Sequence, residues 1–312
     1  MSYCPNFVQK CPTLSEMFDS YLEYLSERGA PSYEHVAKLL NHAAYHLGGD
    51  TLVSDIGASE VCSWLGMIYE RGSVAMADRA RAYLKAAWNH LKKCDYRKKG
   101  RMGWVVKENP MDGVRADHEA SSRVRMRFLS KDELSQLLIV LKDECEHPAA
   151  QVLLFCLYTG CRLQEAISLK VSSFDFNSGI VRWEKTKTGN PHQIALGDIA
   201  RKLMETWCAG KGANEYVFPG IKDSSKPIAY DTVHNFFDRI GFKGASPRDL
   251  RRTFKTWAQA AGLSRETIDM IQNHKNDSSV ATRHYDRYAF TEDAAIVMHD
   301  SLNTMEQWLG KI

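Results

Sequence analysis

Six residues spread through the second half of the chain share one kind of chemistry: Arg162, Lys187, Arg248, Arg251, His274 and Tyr285. Five are cations or can become cations, and the sixth is a phenol near the C-terminus. Cationic donors gathered around one tyrosine suit attack on a phosphodiester without a metal. The donors would hold the non-bridging phosphate oxygens and stabilise the charge that builds in the transition state. The phenol would become a covalent phosphoester.

The words around these residues sharpen the expectation. In Tyr158-Thr159-Gly160-Cys161-Arg162-Leu163-Gln164-Glu165 the glycine permits a tight turn, and Arg162 falls at the start of a helix. A helix N-terminus offers free N–H groups to an anion, and a guanidinium adds a planar fork suited to phosphate. Glu165, three residues on, can share a face with Arg162 and hold it. The plain alternative is a surface ion pair. In Ser246-Pro247-Arg248-Asp249-Leu250-Arg251-Arg252 the serine and proline announce a helix start. Arg248 and Arg251 then share a face and can reach one anion; a solvated basic helix is the alternative. Ile271-Gln272-Asn273-His274-Lys275 and Thr282-Arg283-His284-Tyr285-Asp286-Arg287-Tyr288 complete the set. Taken singly, His274 and Tyr285 would pass for a structural histidine and a packing tyrosine.

The elements that must position these residues are mainly helical. Thr13-Leu14-Ser15-Glu16 is a capping box ahead of a stripe through Leu14, Phe18, Tyr21, Leu22 and Leu25. Further stripes run through Val36, Leu39, Leu40, Ala43 and Leu47, through Val61, Trp64, Leu65 and Ile68, and through Ala80, Tyr83, Leu84, Ala87 and Leu91. Four amphipathic helices with short turns predict a compact helical domain. Basic residues follow between Lys92 and Lys107, then a polar stretch from Asp112 to Met126 that reads as an interdomain linker. Its charges fit either a solvated loop or a strap across DNA phosphates. A second capping box, Ser130 to Glu133, opens the next domain, and the apolar run Ala149–Tyr158 predicts a buried helix. Ile180–Glu184 and His192–Leu196 read as two strands joined by a polar turn that carries Lys185 and Lys187. The fold class expected is mainly α with one small β-sheet.

Bulk properties set bounds. A length of 312 residues suits two domains. A net charge of only +3 means that any nucleic-acid role must rest on local patches. Eight cysteines occur without a CxxC pair, so reduced core thiols are expected rather than a metal or disulfide framework. No signal peptide is visible and no apolar run approaches the roughly 20 residues of a membrane span, so a cytoplasmic protein is expected.

Residues 127 to about 290 resemble the catalytic domain of the tyrosine recombinases, the phage integrase family. That family's order is an Arg in a TGxRxxE word, a Lys in a β-hairpin, a His-x-x-Arg box, a second His and a Tyr. Here these are Thr159 to Glu165, Lys187, Arg248 to Arg251, His274 and Tyr285. The resemblance implies a helical, SAM-like core-binding domain over 1–114, a linker over 115–126 and a mixed α/β catalytic domain over 127–312. It implies that Arg162 and Arg251 clamp the scissile phosphate, Tyr285 forms a 3′-phosphotyrosine, Lys187 protonates the departing 5′-oxygen, His274 donates to the phosphate and Glu165 supports Arg162. Lys185 is the alternative to Lys187, and Tyr288 to Tyr285. No cofactor or metal is implied. The partners implied are double-stranded DNA recombination sites, a homotetramer on DNA and accessory DNA-bending or excisionase proteins. The terminal stripe through Ala295, Ile296, Met298, Leu302, Met305, Trp308 and Leu309 is expected to exchange between subunits, with packing on its own domain as the alternative. The chain starts almost directly with the core-binding helices, without the arm-binding domain many phage integrases carry, which leaves room for a chromosome-dimer, transposon or integron recombinase beside a prophage integrase. A type IB topoisomerase and a catalytically dead DNA-binding regulator are further alternatives. One departure stands out: Arg248 occupies a position where the family usually has His, and arginine cannot act as a base.

Overall fold

The computed structural model describes residues 11–71, 74–92, 108–115, 126–184, 186, 191–242, 244–274 and 288–312. The chain divides into two compact units, Met1–Arg125 and Met126–Ile312.

The first unit holds α1 (Leu14–Glu27), α2 (Tyr33–Leu47), α3 (Ala58–Glu70) and α4 (Val74–Leu91). The Thr13 box forms as its sequence dictates. The Thr13 N–H donates to Glu16 Oε2 at 2.9 Å and the Glu16 N–H to Thr13 Oγ1 at 3.2 Å. Leu14, Met17 and Phe18 of α1, Val36 and Leu40 of α2, Trp64 of α3, and Leu84 and Trp88 of α4 meet in one buried core. Asn109 ties the chain beyond α4 back onto it. Its amide donates to Lys85 O at 3.2 Å and Asn89 Oδ1 at 3.0 Å, and it accepts from the Met111 N–H at 2.9 Å.

The second unit is built around α6 (Pro148–Thr159), in which every residue from Val152 to Thr159 is buried. Around it lie α5 (Lys131–Asp143), the short α7 (Leu163–Ile167), α8 (Asp198–Cys208), α9 (Tyr230–Arg239), α10 (Pro247–Ala260), α11 (Arg265–Ile271) and α12 (Glu292–Leu309). A three-stranded antiparallel sheet runs in the order β1 (Phe174–Asp175), β2 (Ile180–Trp183) and β3 (His192–Ala195). Trp183 pairs with His192 and Arg182 with Gln193. The sequence predicts β2 and β3 but not β1, whose two residues are too few to show an alternation.

The terminal stripe is covered by its own unit. α12 packs on β3, α6, α8 and α11, with Met298, Leu302, Met305 and Leu309 inward, whereas Ile296, expected on the same stripe, is exposed. Glu306 fixes this seat: its carboxylate accepts from the Ile199 and Ala200 N–H groups at 2.8 and 2.9 Å, capping α8 from a distant helix. Not all thiols are in the core. Cys156, Cys161 and Cys208 are buried, but Cys62 and Cys145 are exposed. Cys62 lies off the Val61–Trp64–Leu65–Ile68 stripe of α3, and Cys145 lies in the turn after α5. Among the described residues no helix is long and apolar enough to cross a membrane.

Candidate active site

Gly160 ends α6 in the left-handed conformation, at φ 62° and ψ 12°. A Cβ there would lie 2.4 Å from the Phe254 ring, so the turn admits only glycine without displacement. The turn delivers Arg162 to the N-cap of α7. Glu165 holds it twice: Oε2 accepts the Arg162 N–H at 2.9 Å and Oε1 accepts Nη1 at 2.7 Å. The pair is not a surface ion pair, because Glu165 is only 7 % exposed. The Trp183 indole donates to Glu165 O at 3.0 Å and fixes the first turn of α7 against β2.

Ser246 starts α10, with its N–H and hydroxyl both donating to Asp249 Oδ2, at 2.8 and 3.0 Å. Arg251 lies one turn further on. Its Nη1 donates to Gly160 O at 2.8 Å and its Nη2 to Gln272 O. Burial, with the neighbouring Arg162 charge, lowers its pKa to about 10, so it remains a cation at neutral pH. Arg162 Nη2 meets the next carbonyl, Asn273 O, at 3.4 Å. The two guanidiniums thus converge on adjacent peptide groups immediately before His274. Asn273 takes the left-handed φ of 49° that turns the chain there, the one such non-glycine residue among those described.

His274 is partly exposed and its Nδ1 lies 3.0 Å from Asp269 Oδ1. Asp269 is 7 % exposed and also receives Lys255 Nζ at 3.1 Å. Burial, Arg251 and Lys255 push the His274 pKa below its ordinary value, while Asp269 opposes the shift. Two adjacent β3 side chains hold the main chain on either side of this region. His192 Nε2 lies 3.0 Å from Ile271 O, and Gln193 Nε2 donates to Ala289 O at 3.0 Å. His192 is buried against Trp183, ring centroids 5.5 Å apart, and burial lowers its pKa to about 4.

The structure therefore brings Arg162, Glu165, Arg251 and His274 together. Arg248 stands apart from that hydrogen-bonded group. It is exposed, with its guanidinium 5.8 Å from the centroid of the Tyr230 ring, a cation–π contact. Lys187, its alternative Lys185, and Tyr285 lie outside the described residues. Tyr288, the alternative nucleophile, is described and 38 % exposed. Among the described residues no group of three or more His, Cys, Asp or Glu side chains could hold a metal ion. Sequence reasoning passed over Asp269, His192 and Gln193. A signal for the first was present: Asp269 stands between Ile268 and Met270 in an otherwise apolar turn, five residues before His274.

Residues 127–292 match the model of the phage integrase family, more than half of the chain. This protein belongs to that family. A putative integrase/recombinase, y4qK of Sinorhizobium fredii, is 28 % identical over 169 residues, 52 % of each chain. Tyrosine recombinase XerA of Saccharolobus solfataricus is 28 % identical over 38 % of this chain and 40 % of its own. The integrase of Salmonella phage P22 is 25 % identical over 48 % of this chain and 43 % of its own. The chain spans about half the length of the curated relatives it matches. Among solved structures, a lambda integrase tetramer bound to a Holliday junction shares the fold at a TM-score of 0.67 and 19 % identity, over 86 % of this chain and 79 % of that one. The Tn1549 transposon integrase in complex with transposon right end DNA does so at 0.62 and 15 %, over 89 % and 99 %.

Proposed function

We propose that this chain is a site-specific tyrosine recombinase that cuts and rejoins double-stranded DNA through a 3′-phosphotyrosine at Tyr285. The observation that carries the proposal is the convergence of Arg162 and Arg251 on adjacent carbonyls beside His274, with Glu165 buried behind them. Each guanidinium uses two of its N–H groups on described partners, and the remaining donors can serve a phosphate. Two fixed cations next to a hydrogen-bonding imidazole suit the dianionic phosphorane-like transition state.

In this scheme Tyr285 Oη attacks phosphorus and the 5′-oxygen leaves with a proton from Lys187. The phosphotyrosyl bond conserves the energy for rejoining, so no cofactor or metal is required. The protein acts in the cytoplasm, where it meets its DNA. Two domains, 1–114 and 127–312 joined through a linker at 115–126, serve as core-binding and catalytic domains on the duplex. Four subunits act together on two sites, as the lambda integrase tetramer sits on a Holliday junction, with accessory DNA-bending or excisionase proteins setting direction. A prophage or mobile-element integrase is the setting we favour; a chromosome-dimer, transposon or integron recombinase would use the same chemistry.

Covalent trapping on a nicked DNA site taken from the element's own ends tests the proposal. A 3′-linked adduct that disappears in Tyr285→Phe is expected. An adduct that persists moves the nucleophile to Tyr288. Tight binding of the site without any adduct overturns the enzymatic proposal in favour of a DNA-binding regulator.

A further inference from the structure

Strand cleavage by a tyrosine leaves one proton to place: the phenol must lose it as Oη bonds to phosphorus. Among the described residues few groups at this site can take it. Arg248 holds its charge at any working pH and leans on Tyr230. Arg162 and Arg251 are committed cations. His192 is 4 % exposed, and its Nε2 must donate, because the atom it faces is the Ile271 carbonyl. His274 differs from all of these. Its Nδ1 faces a carboxylate oxygen, whereas its Nε2 meets no hydrogen-bond partner among the described residues.

We infer that His274 and Asp269 form a proton-accepting dyad, in which Asp269 fixes the Nδ1–H tautomer and leaves the Nε2 lone pair to take the tyrosine proton. This rests on the recombinase function proposed above. Asp269 is a positioning residue and acts only through His274. Its carboxylate stays ionised, held below the ordinary range by hydrogen bonds from His274 and Lys255 against the cost of burial. An ionised carboxylate accepts from Nδ1–H and cannot donate to a bare Nδ1, so the tautomer follows. The ring is held at its backbone as well, since the His274 N–H donates to Asp269 O at 2.9 Å. Among the described residues the charged groups around the imidazole are Arg251 and Lys255 from α10, and Asp269 with Arg265 behind it from α11. Burial, with the two cations on α10, lowers the His274 pKa and so favours the neutral ring before attack; the carboxylate stabilises the imidazolium that forms. The balance is complete. The Tyr285 Oη–H bond breaks and Nε2–H forms, the Oη–P bond forms and the P–O5′ bond breaks, and the proton on O5′ comes from Lys187. Once protonated, Nε2–H can donate to the phosphate, which reconciles the donor role expected from the family with the base that Arg248 cannot be.

Two measurements test the dyad. Long-range ¹H–¹⁵N spectra of the DNA-free protein, assigned with His274→Gln, report the tautomer without any need for activity. Nδ1–H is expected in the wild type, and a mixture in Asp269→Asn. Single-turnover cleavage of the nicked site across pH 5 to 8 gives the second readout. Wild type should gain rate with pH through a transition below the ordinary histidine value. Asp269→Asn should lose about 10²-fold with unchanged site binding, within the range that a positioned base contributes. Asp269→Glu should recover part of the rate. Asp269→Asn should cost nothing further in the His274→Gln background. The dyad is overturned if the wild type shows Nε2–H, or if the two losses multiply. An absent wild-type adduct alongside an Nδ1–H spectrum would instead refute the recombinase function and leave the tautomer assignment standing.

Discussion

Replacing Gly160 by alanine isolates the steric demand at the centre of the site. The residue sits at φ 62°, where an L side chain costs about 1–2 kcal/mol. The added Cβ also lands 2.4, 2.7 and 2.8 Å from three atoms of the Phe254 ring. Phe254 is 1 % exposed, so the ring has nowhere to swing, and overpacking of this kind costs about 1–3 kcal/mol. Together the change should remove about 2–5 kcal/mol. Gly210 supplies the control within the same unit: φ is 73° and nothing lies within 4 Å of a built Cβ. Gly210→Ala should cost only the backbone part, about 1–2 kcal/mol. Urea unfolding of both variants reads the difference as a shift in midpoint. The Gly160→Ala/Phe254→Ala double variant should be less destabilised than the sum of the singles, because the truncated ring vacates the space the methyl needs. Equal midpoints for Gly160→Ala and Gly210→Ala would refute the claim that close approach to Phe254, and not the turn alone, requires glycine here.

Three further outcomes follow from the geometry. His192 titrates near 4 when folded and near 6.5 when unfolded, so the unfolded chain binds the extra proton between these values; stability is fully present above about pH 6.5 and falls by about 3 kcal/mol as pH drops towards 4, a slope that His192→Gln should flatten in pH-dependent unfolding. Glu306→Ala strips two α8 N–H groups of their acceptor and should cost about 1–2 kcal/mol by thermal unfolding, whereas Glu306→Gln, which keeps an acceptor and relieves a carboxylate whose pKa burial raises, should cost less. Arg251→Lys cannot reach both Gly160 O and Gln272 O as a planar fork does; adduct formation should fall by about 10²-fold with site binding changed less than about tenfold, and a near-normal cleavage rate would remove Arg251 from the phosphate clamp.

What could be read from sequence was local. The Thr13, Ser130 and Ser246 starts each depend on an acid three residues later, and each is found. Glu165 holds Arg162 from the same distance, and Gly160 sits where the turn demands it. Contacts across long separations left no such trace. Glu306 reaches Ile199 over 107 residues and His192 reaches Ile271 over 79, and nothing in either neighbourhood specifies its partner. The seat of α12 is the clearest case. Its apolar stripe is compatible with any complementary surface, and the buried carboxylate that selects α8 reads in sequence as one more charged residue on a helix. Asp269 was partly legible, as an acid in an apolar turn, and Asn273 is a residue type that favours the left-handed reversal found there, but nothing local pairs the acid with His274 across that reversal.

The neighbouring grips of His192 and Gln193 make β3 an indexing element. Successive residues of a strand face opposite sides of its sheet. One therefore holds the backbone just ahead of His274, and the other holds it just beyond the tyrosine-bearing stretch, from opposite sides. A slip of one residue between β2 and β3 would turn both side chains over together and release both anchors at once. The main chain at Ile271 and at Ala289 is thus set to a common zero by strand register. An insertion placed within β3 would lose that zero for both.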